Sequence, residues 1–151
     1  MSRPPRSPQE AILSHRFLKA VFFYGLLITV STMGAFLWAL GSDPARASTV
    51  SFMTLALAQV FHLGNARSVR PVLRPARAIA NRYALGAVAL SVMLQLLTVS
   101  FEPVARVLRV VSLSAAEWAV VLAWAAMPAV VGQVLKLRAT RSLGELSFSK
   151  L

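Results

Sequence analysis

Four stretches of this chain carry no Asp, Glu, Lys or Arg: residues 20–42, 47–66, 83–101 and 118–135, which are 23, 20, 19 and 18 residues long. A helix needs about 20 apolar residues to cross ~30 Å of hydrocarbon. The runs therefore predict an all-α integral membrane protein with four transmembrane helices. Composition agrees, since 57% of the residues are hydrophobic and 14% charged, which is not the balance of a soluble domain. A helical bundle in water would need a polar face on each helix, and these runs leave almost none.

The charges that remain are placed rather than spread. A net charge of +11 over 151 residues raises the question of nucleic acid, but the arginines lie between the apolar runs and not on one folded face. They read as topology signals, and no nucleic-acid partner is expected. Thirteen Lys and Arg fall in the N-terminal segment, the 66–82 connection and the tail, against three in the other two connections. That asymmetry predicts both termini on the cytoplasmic side. The expected organisation is a basic, proline-rich lead-in over 1–16, a four-helix transmembrane domain over 17–138 and a cytoplasmic tail over 139–151. There is no cysteine, hence no disulfide, thiol nucleophile or thiolate metal site. The first 19 residues hold three prolines and no apolar core, so they do not read as a cleavable signal peptide.

Local signals set the element boundaries. Ser7-Pro8-Gln9-Glu10 has the form of a capped helix start, and Ser114-Ala115-Ala116-Glu117 repeats it just before the fourth run. Gly41-Ser42-Asp43-Pro44 is a turn signal. Glu102-Pro103 ends the third run, and residues 105–111 read as a segment lying along the surface. In the first run Gly25, Thr29, Thr32 and Ala35 share a face suited to close helix approach. In the fourth, Pro128 cannot donate to the carbonyl of Trp124, so a kink is expected there.

No catalytic constellation is present: there is no phosphate-binding glycine loop, no HExxH and no pair of carboxylates at depth, and no cofactor is expected. All five acidic residues lie at or beyond the ends of the runs. The site candidates are intramembrane polar groups. Ser51, Gln59, His62 and Asn65 fall within about a third of the second helix's circumference. Polar groups at membrane depth are costly and normally face a bundle interior. Gln59 and His62 are the candidate cation contacts, because an amide oxygen suits a hard cation and a neutral imidazole suits softer metals or proton relay. The alternative is that both hydrogen-bond between helices and hold the bundle together. Gln95 on the third helix has the same two readings.

Residues 81–136 carry a resemblance. Asn81, the Leu85-Gly86 pair, Ser91, Pro103, Leu113, Trp118, Pro128 and the Leu135-Lys136 pair match, in order and spacing, the last two transmembrane helices of P-type cation-transporting ATPases, of the calcium- and magnesium-pump type. Residues 53–68, MTLALAQVFHLGNARS, resemble the eighth helix of that family, and the opening MSRPPRSPQEAIL resembles the cytoplasmic loop before the seventh. The resemblance covers residues 1–138. It implies the C-terminal transmembrane domain, helices seven to ten, in which the eighth helix contributes a Glu or Gln to a cation site. That position falls on Gln59, with His62 one turn later. The family's phosphorylated Asp-Lys-Thr-Gly motif, nucleotide domain and actuator Thr-Gly-Glu motif have no counterpart in these 151 residues.

The function expected is a non-catalytic transmembrane module of such a pump, a detached or truncated C-terminal part supporting the ion pathway. It is not an enzyme on its own. Its partners would be the lipid bilayer, the other pump helices and a cation, and its location a bacterial plasma membrane. The alternatives are a free-standing regulator of an intact pump and an independent four-helix carrier.

Overall fold

The computed structural model describes residues 15–41, 43–66 and 82–148. The lead-in with its Ser7 cap, Asn81 and the arginine-rich connection before it lie outside the described residues. Among the described residues all regular structure is helical: α1 His15–Leu40, α2 Pro44–Ala66, α3 Arg82–Ser100, α4 Glu102–Leu108 and α5 Ala115–Phe148. Two of these are long and apolar enough to cross a membrane, over Phe17–Leu40 and Ala115–Arg138. A third crossing is present if α3 and α4, bent by 86° at their junction, count as one span.

The helix that differs from expectation is α2. It carries Arg46 in its first turn and Ser48, Thr49, Ser51, Thr54, Gln59 and His62 along its length, which lowers its hydropathy below that of α1 and α5. It is also the most enclosed helix. Ala47, Val50, Met53, Leu57 and Ala58 of α2 form one core with Ala35 and Ala39 of α1 and Val121 and Ala125 of α5. A helix packed on two sides needs less apolar surface of its own. Two of its hydroxyls are satisfied within the helix: Thr49 donates to the Ala45 carbonyl at 3.0 Å and Ser51 to that of Ser48 at 2.9 Å.

The contact between α1 and α5 is built on small residues, but not those the first run suggested. Gly25 has open space where a side chain would be, and Thr29 and Thr32 turn their hydroxyls back to their own helix, onto Gly25 and Ile28. Of those four positions only Ala35 is fully buried in the core. The close approach falls at Ser31 and Gly34. A β-carbon on Gly34 would stand 2.5 Å from Cη2 of the Trp124 indole, so only glycine lets that ring lie on α1. Directly beside it, the Ser31 hydroxyl donates to the Trp124 carbonyl. That carbonyl is the one Pro128 leaves without an amide donor. The helical assignment of α5 continues through Pro128.

The two core helices are also tied at their N-terminal ends. Ser114 caps α5 as its sequence predicts: the Glu117 carboxylate accepts from the Ser114 amide at 2.6 Å and hydroxyl at 2.7 Å, and the Glu117 amide returns a bond to the Ser114 oxygen at 3.3 Å. The same carboxylate accepts from Nη1 of Arg46 at 2.9 Å and 3.0 Å. Thr49 receives the Val111 amide at 3.0 Å and so fastens the connection before α5 onto α2.

Helix α3 is held differently. Val92 and Val99 pack on the core, yet no described α3 side chain is fully buried. The chain breaks at Phe101 because Pro103 cannot donate within α3, whereas in the first turn of α4 its missing amide costs nothing. Helix α4 runs across the bundle end, in keeping with the surface segment expected there.

These contacts generate two expected outcomes. Gly34→Ala, by forcing the Trp124 ring off α1, destabilises the protein by about 1–3 kcal/mol, and Ser31→Ala by roughly 0.6 kcal/mol, the size of an interhelical side-chain bond in lipid; denaturation of the micelle-bound protein followed by helicity measures both. Glu117→Ala removes a cap and an ion pair together. The swap of Arg46→Glu with Glu117→Arg restores the ion pair but not the cap, so its stability falls between wild type and Glu117→Ala, the gap to wild type being about 1 kcal/mol.

Candidate functional site

The polar stripe of α2 divides when the helix is packed. Gln59 lies on the exposed side, among Phe52, Leu55 and Leu63, which are also exposed. This side is opposite the row that packs on α1 and α5. At 1.5 Å per residue Gln59 stands about 10 Å along the helix from the Ala66 end of α2. Three residues on, the helix has turned by about 300°, or 60° short of a full circle, and His62 sits on the flank facing α1. Its ring lies against Tyr24, with centroids 4.2 Å apart and planes inclined by 42°. Gln59 and His62 are therefore on adjoining faces, and the imidazole is half covered where the amide is open.

The remaining stripe residues scatter. Ser51 is half-buried with its hydroxyl returned to the backbone, and the Asn65 side chain lies outside the described residues. Gln95, on α3, is half-buried beside Val92 and Val99 along the edge that meets the core. Among the described residues, the buried side-chain polar atoms without a hydrogen-bond partner are Oγ1 of Thr54 and Nδ1 of His62. No three His, Cys, Asp or Glu come together in a metal-binding group among the described residues. The described residues thus place an exposed amide, Gln59, next to an imidazole whose buried Nδ1 has no hydrogen-bond partner. A hard cation takes six or more oxygens, so these two side chains could not by themselves complete a coordination shell.

The residues that hold this geometry were not the ones the stripe pointed to. Ser31, Gly34 and the Arg46–Glu117 pair position α2 between α1 and α5, and so decide which α2 face is left open. Ser31 was legible in principle: with Tyr24, Ile28, Ala35 and Ala39 it makes the i, i+4, i+7, i+11, i+15 row that faces the core. Arg46 carried no such signal, because an arginine at a run's edge reads equally well as a topology charge.

Comparison with known proteins gives this geometry its context. Residues 1–138 match the family described as "Cation transporting ATPase, C-terminus". The chain is 32% identical over 131 residues to a calcium-transporting ATPase of Bacillus subtilis (strain 168), covering 85% of this chain and 15% of that protein. It is 26% identical over 155 residues to calcium-transporting ATPase 1 of Bacillus cereus (strain ATCC 10987 / NRS 248), covering 91% and 17%. A calcium-transporting ATPase of Plasmodium falciparum (isolate K1 / Thailand) is 33% identical over 100 residues, covering 66% and 8%. The chain thus spans less than a fifth of the length of these relatives. The matched region is their C-terminal membrane part, which excludes the catalytic domains. On a family match across 138 of its 151 residues, this chain belongs to the cation-transporting ATPase C-terminal family, the C-terminal membrane domain of P-type ATPases.

Proposed function

We propose that this chain acts as the supporting transmembrane module of a cation pump, supplying its last four helices and performing no catalysis itself. In this reading α2 is a full membrane span with Thr49 and Thr54 buried and Gln59 left on its open face, α3 is the third span, both termini face the cytoplasm, and the membrane is the bacterial plasma membrane. The remaining pump helices, on the same or a separate chain, lie against the open face of α2. Gln59 reaches the transported cation from that face, and His62 stands beside it on the flank. The observation that carries the proposal is the exposure of Gln59. An amide at membrane depth on a face of Phe52, Leu55 and Leu63 is costly against lipid and favourable against a helix that offers it a polar partner.

A neutral amide contributes an oxygen without charge, so it fits a shell whose carboxylates come from the other helices. Calcium is the first cation to test, since the relatives named above are calcium-transporting ATPases.

The chain, co-expressed with a pump lacking its last four helices, is expected to co-purify with it and to restore cation uptake into vesicles. Gln59→Leu is expected to keep the association and to weaken apparent cation affinity by about tenfold, the loss of one charge-assisted ligand contact. His62→Ala is expected to change affinity less than Gln59→Leu does. No co-purification and no restored uptake would sink the proposal. Inhibition of an intact pump without rescue of the truncated one would replace it with the regulatory reading.

A further inference from the structure

At the end of the bundle where α2 and α5 begin, the structure holds three arginines with different surroundings. Arg46 is paired with Glu117. Arg106 is paired with Glu102 at 2.7 Å, one turn away on α4. Arg109 has no ion-pair partner among the described residues. It lines a cleft of about 230 Å³ whose other walls are Ser48, Thr49 and Phe52 of α2, with Leu108 and Val110 beside it.

The cleft is two-natured. Thr49 is already committed, since its hydroxyl donates to Ala45 and accepts from Val111. The polar groups left to a ligand are the Arg109 guanidinium and the Ser48 hydroxyl. The apolar wall is Phe52, 40% exposed, and Leu108, 46% exposed. The guanidinium starts from a fixed backbone. Arg109 sits in the left-handed region at φ 54°, a conformation that is costly for a non-glycine residue. The turn is held by the Val110 amide on the Ala105 carbonyl at 3.0 Å and by the Val111 amide on Thr49.

The depth of the cleft is set by α4. That helix turns 86° away from α3 and exposes Val107 and Leu108 beside its Glu102–Arg106 pair, as a short segment at a membrane boundary does. The cleft therefore lies at headgroup level, with its apolar wall on the hydrocarbon side. We infer that it binds a phospholipid with an anionic headgroup: the phosphodiester on Arg109 and Ser48, and the first methylenes of an acyl chain along Phe52 and Leu108. Free phosphate would satisfy the cation but leave the apolar wall uncovered. A zwitterionic headgroup would bring its own cation next to Arg109. The inference rests on the membrane placement of the helices and not on association with a pump.

The test uses the purified chain in detergent, titrated with phosphatidylglycerol or phosphatidylcholine and read by native mass spectrometry. Phosphatidylglycerol is expected to be retained in preference to phosphatidylcholine, and inorganic phosphate at millimolar concentration is not expected to displace it. Arg109→Gln is expected to weaken phosphatidylglycerol binding about tenfold, Phe52→Ala to weaken both lipids, and Arg106→Gln, whose charge is already paired, to change neither. Equal retention of the two lipids, equal losses in Arg109→Gln and Arg106→Gln, or displacement by inorganic phosphate would each overturn the lipid assignment. Because the wild-type lipid preference and the phosphate competition need no variant, a folding defect in Arg109→Gln would not shield the proposal. The assay contains no pump, so its failure leaves the supporting role standing.

Discussion

The Trp124 carbonyl is the point on which the core turns. Within a membrane every backbone polar group must find a partner inside the protein, and Pro128 removes the one this carbonyl would have had from its own helix. The Ser31 hydroxyl fills the place from α1. That bond can form only if the two backbones are close, and Gly34 is what lets them be close, since any larger residue would meet the Trp124 ring. Proline, serine and glycine thus form one device: the first creates a demand, the second meets it, and the third brings the two helices near enough. It locks α1 to α5 at a single height, which sets the groove into which α2 fits.

The outcome for α2 is a helix that is polar by composition and enclosed by position. Its core row of small and medium residues packs between α1 and α5, while the Thr49 and Ser51 hydroxyls bond to its own backbone. The Arg46–Glu117 pair and the Thr49–Val111 bond add a second tie at the N-terminal ends of α2 and α5. With one tie near mid-depth and another at the end, rotation of α2 about its axis is restricted. That rotation determines that Gln59 faces outward and that His62 rests on Tyr24. Among the described residues helix α3 shows no comparable tie, and its described side chains are partly or wholly exposed, as expected of a helix with further neighbours or lipid around it.

Much of this was readable in the residues. The helical class followed from the uncharged runs, the α5 cap from Ser114 and Glu117, the break before α4 from Pro103, and the family from the spacing between Leu85 and Lys136. The candidate site was legible as a set of residue types but not as an arrangement. Helical periodicity put Gln59 and His62 on one broad side of α2, yet a stripe a third of a circumference wide can straddle two surroundings, and here one residue meets solvent or lipid and the other meets α1. The small-residue face of α1 failed for a related reason. Thr29 and Thr32 are small, but their hydroxyls bond back to their own helix, so smallness alone did not mark the contact.

By itself, then, the sequence determined that the chain is helical, where α3 breaks and where α5 is capped, and which pump domain it resembles, whereas α2 begins earlier, at Pro44, and α5 runs further, to Phe148, than the uncharged runs implied. Those properties depend on local patterns: hydrophobic run length, capping residues, proline, and the order of matching positions. Only the tertiary structure decided that Ser31 supplies the bond Pro128 withholds, that Arg46 is a structural partner while Arg109 has no ion-pair partner among the described residues, and that Gln59 lies on the open face. Each of these depends on which residue, distant along the chain, stands opposite in space, and neither periodicity nor charge counting carries that information.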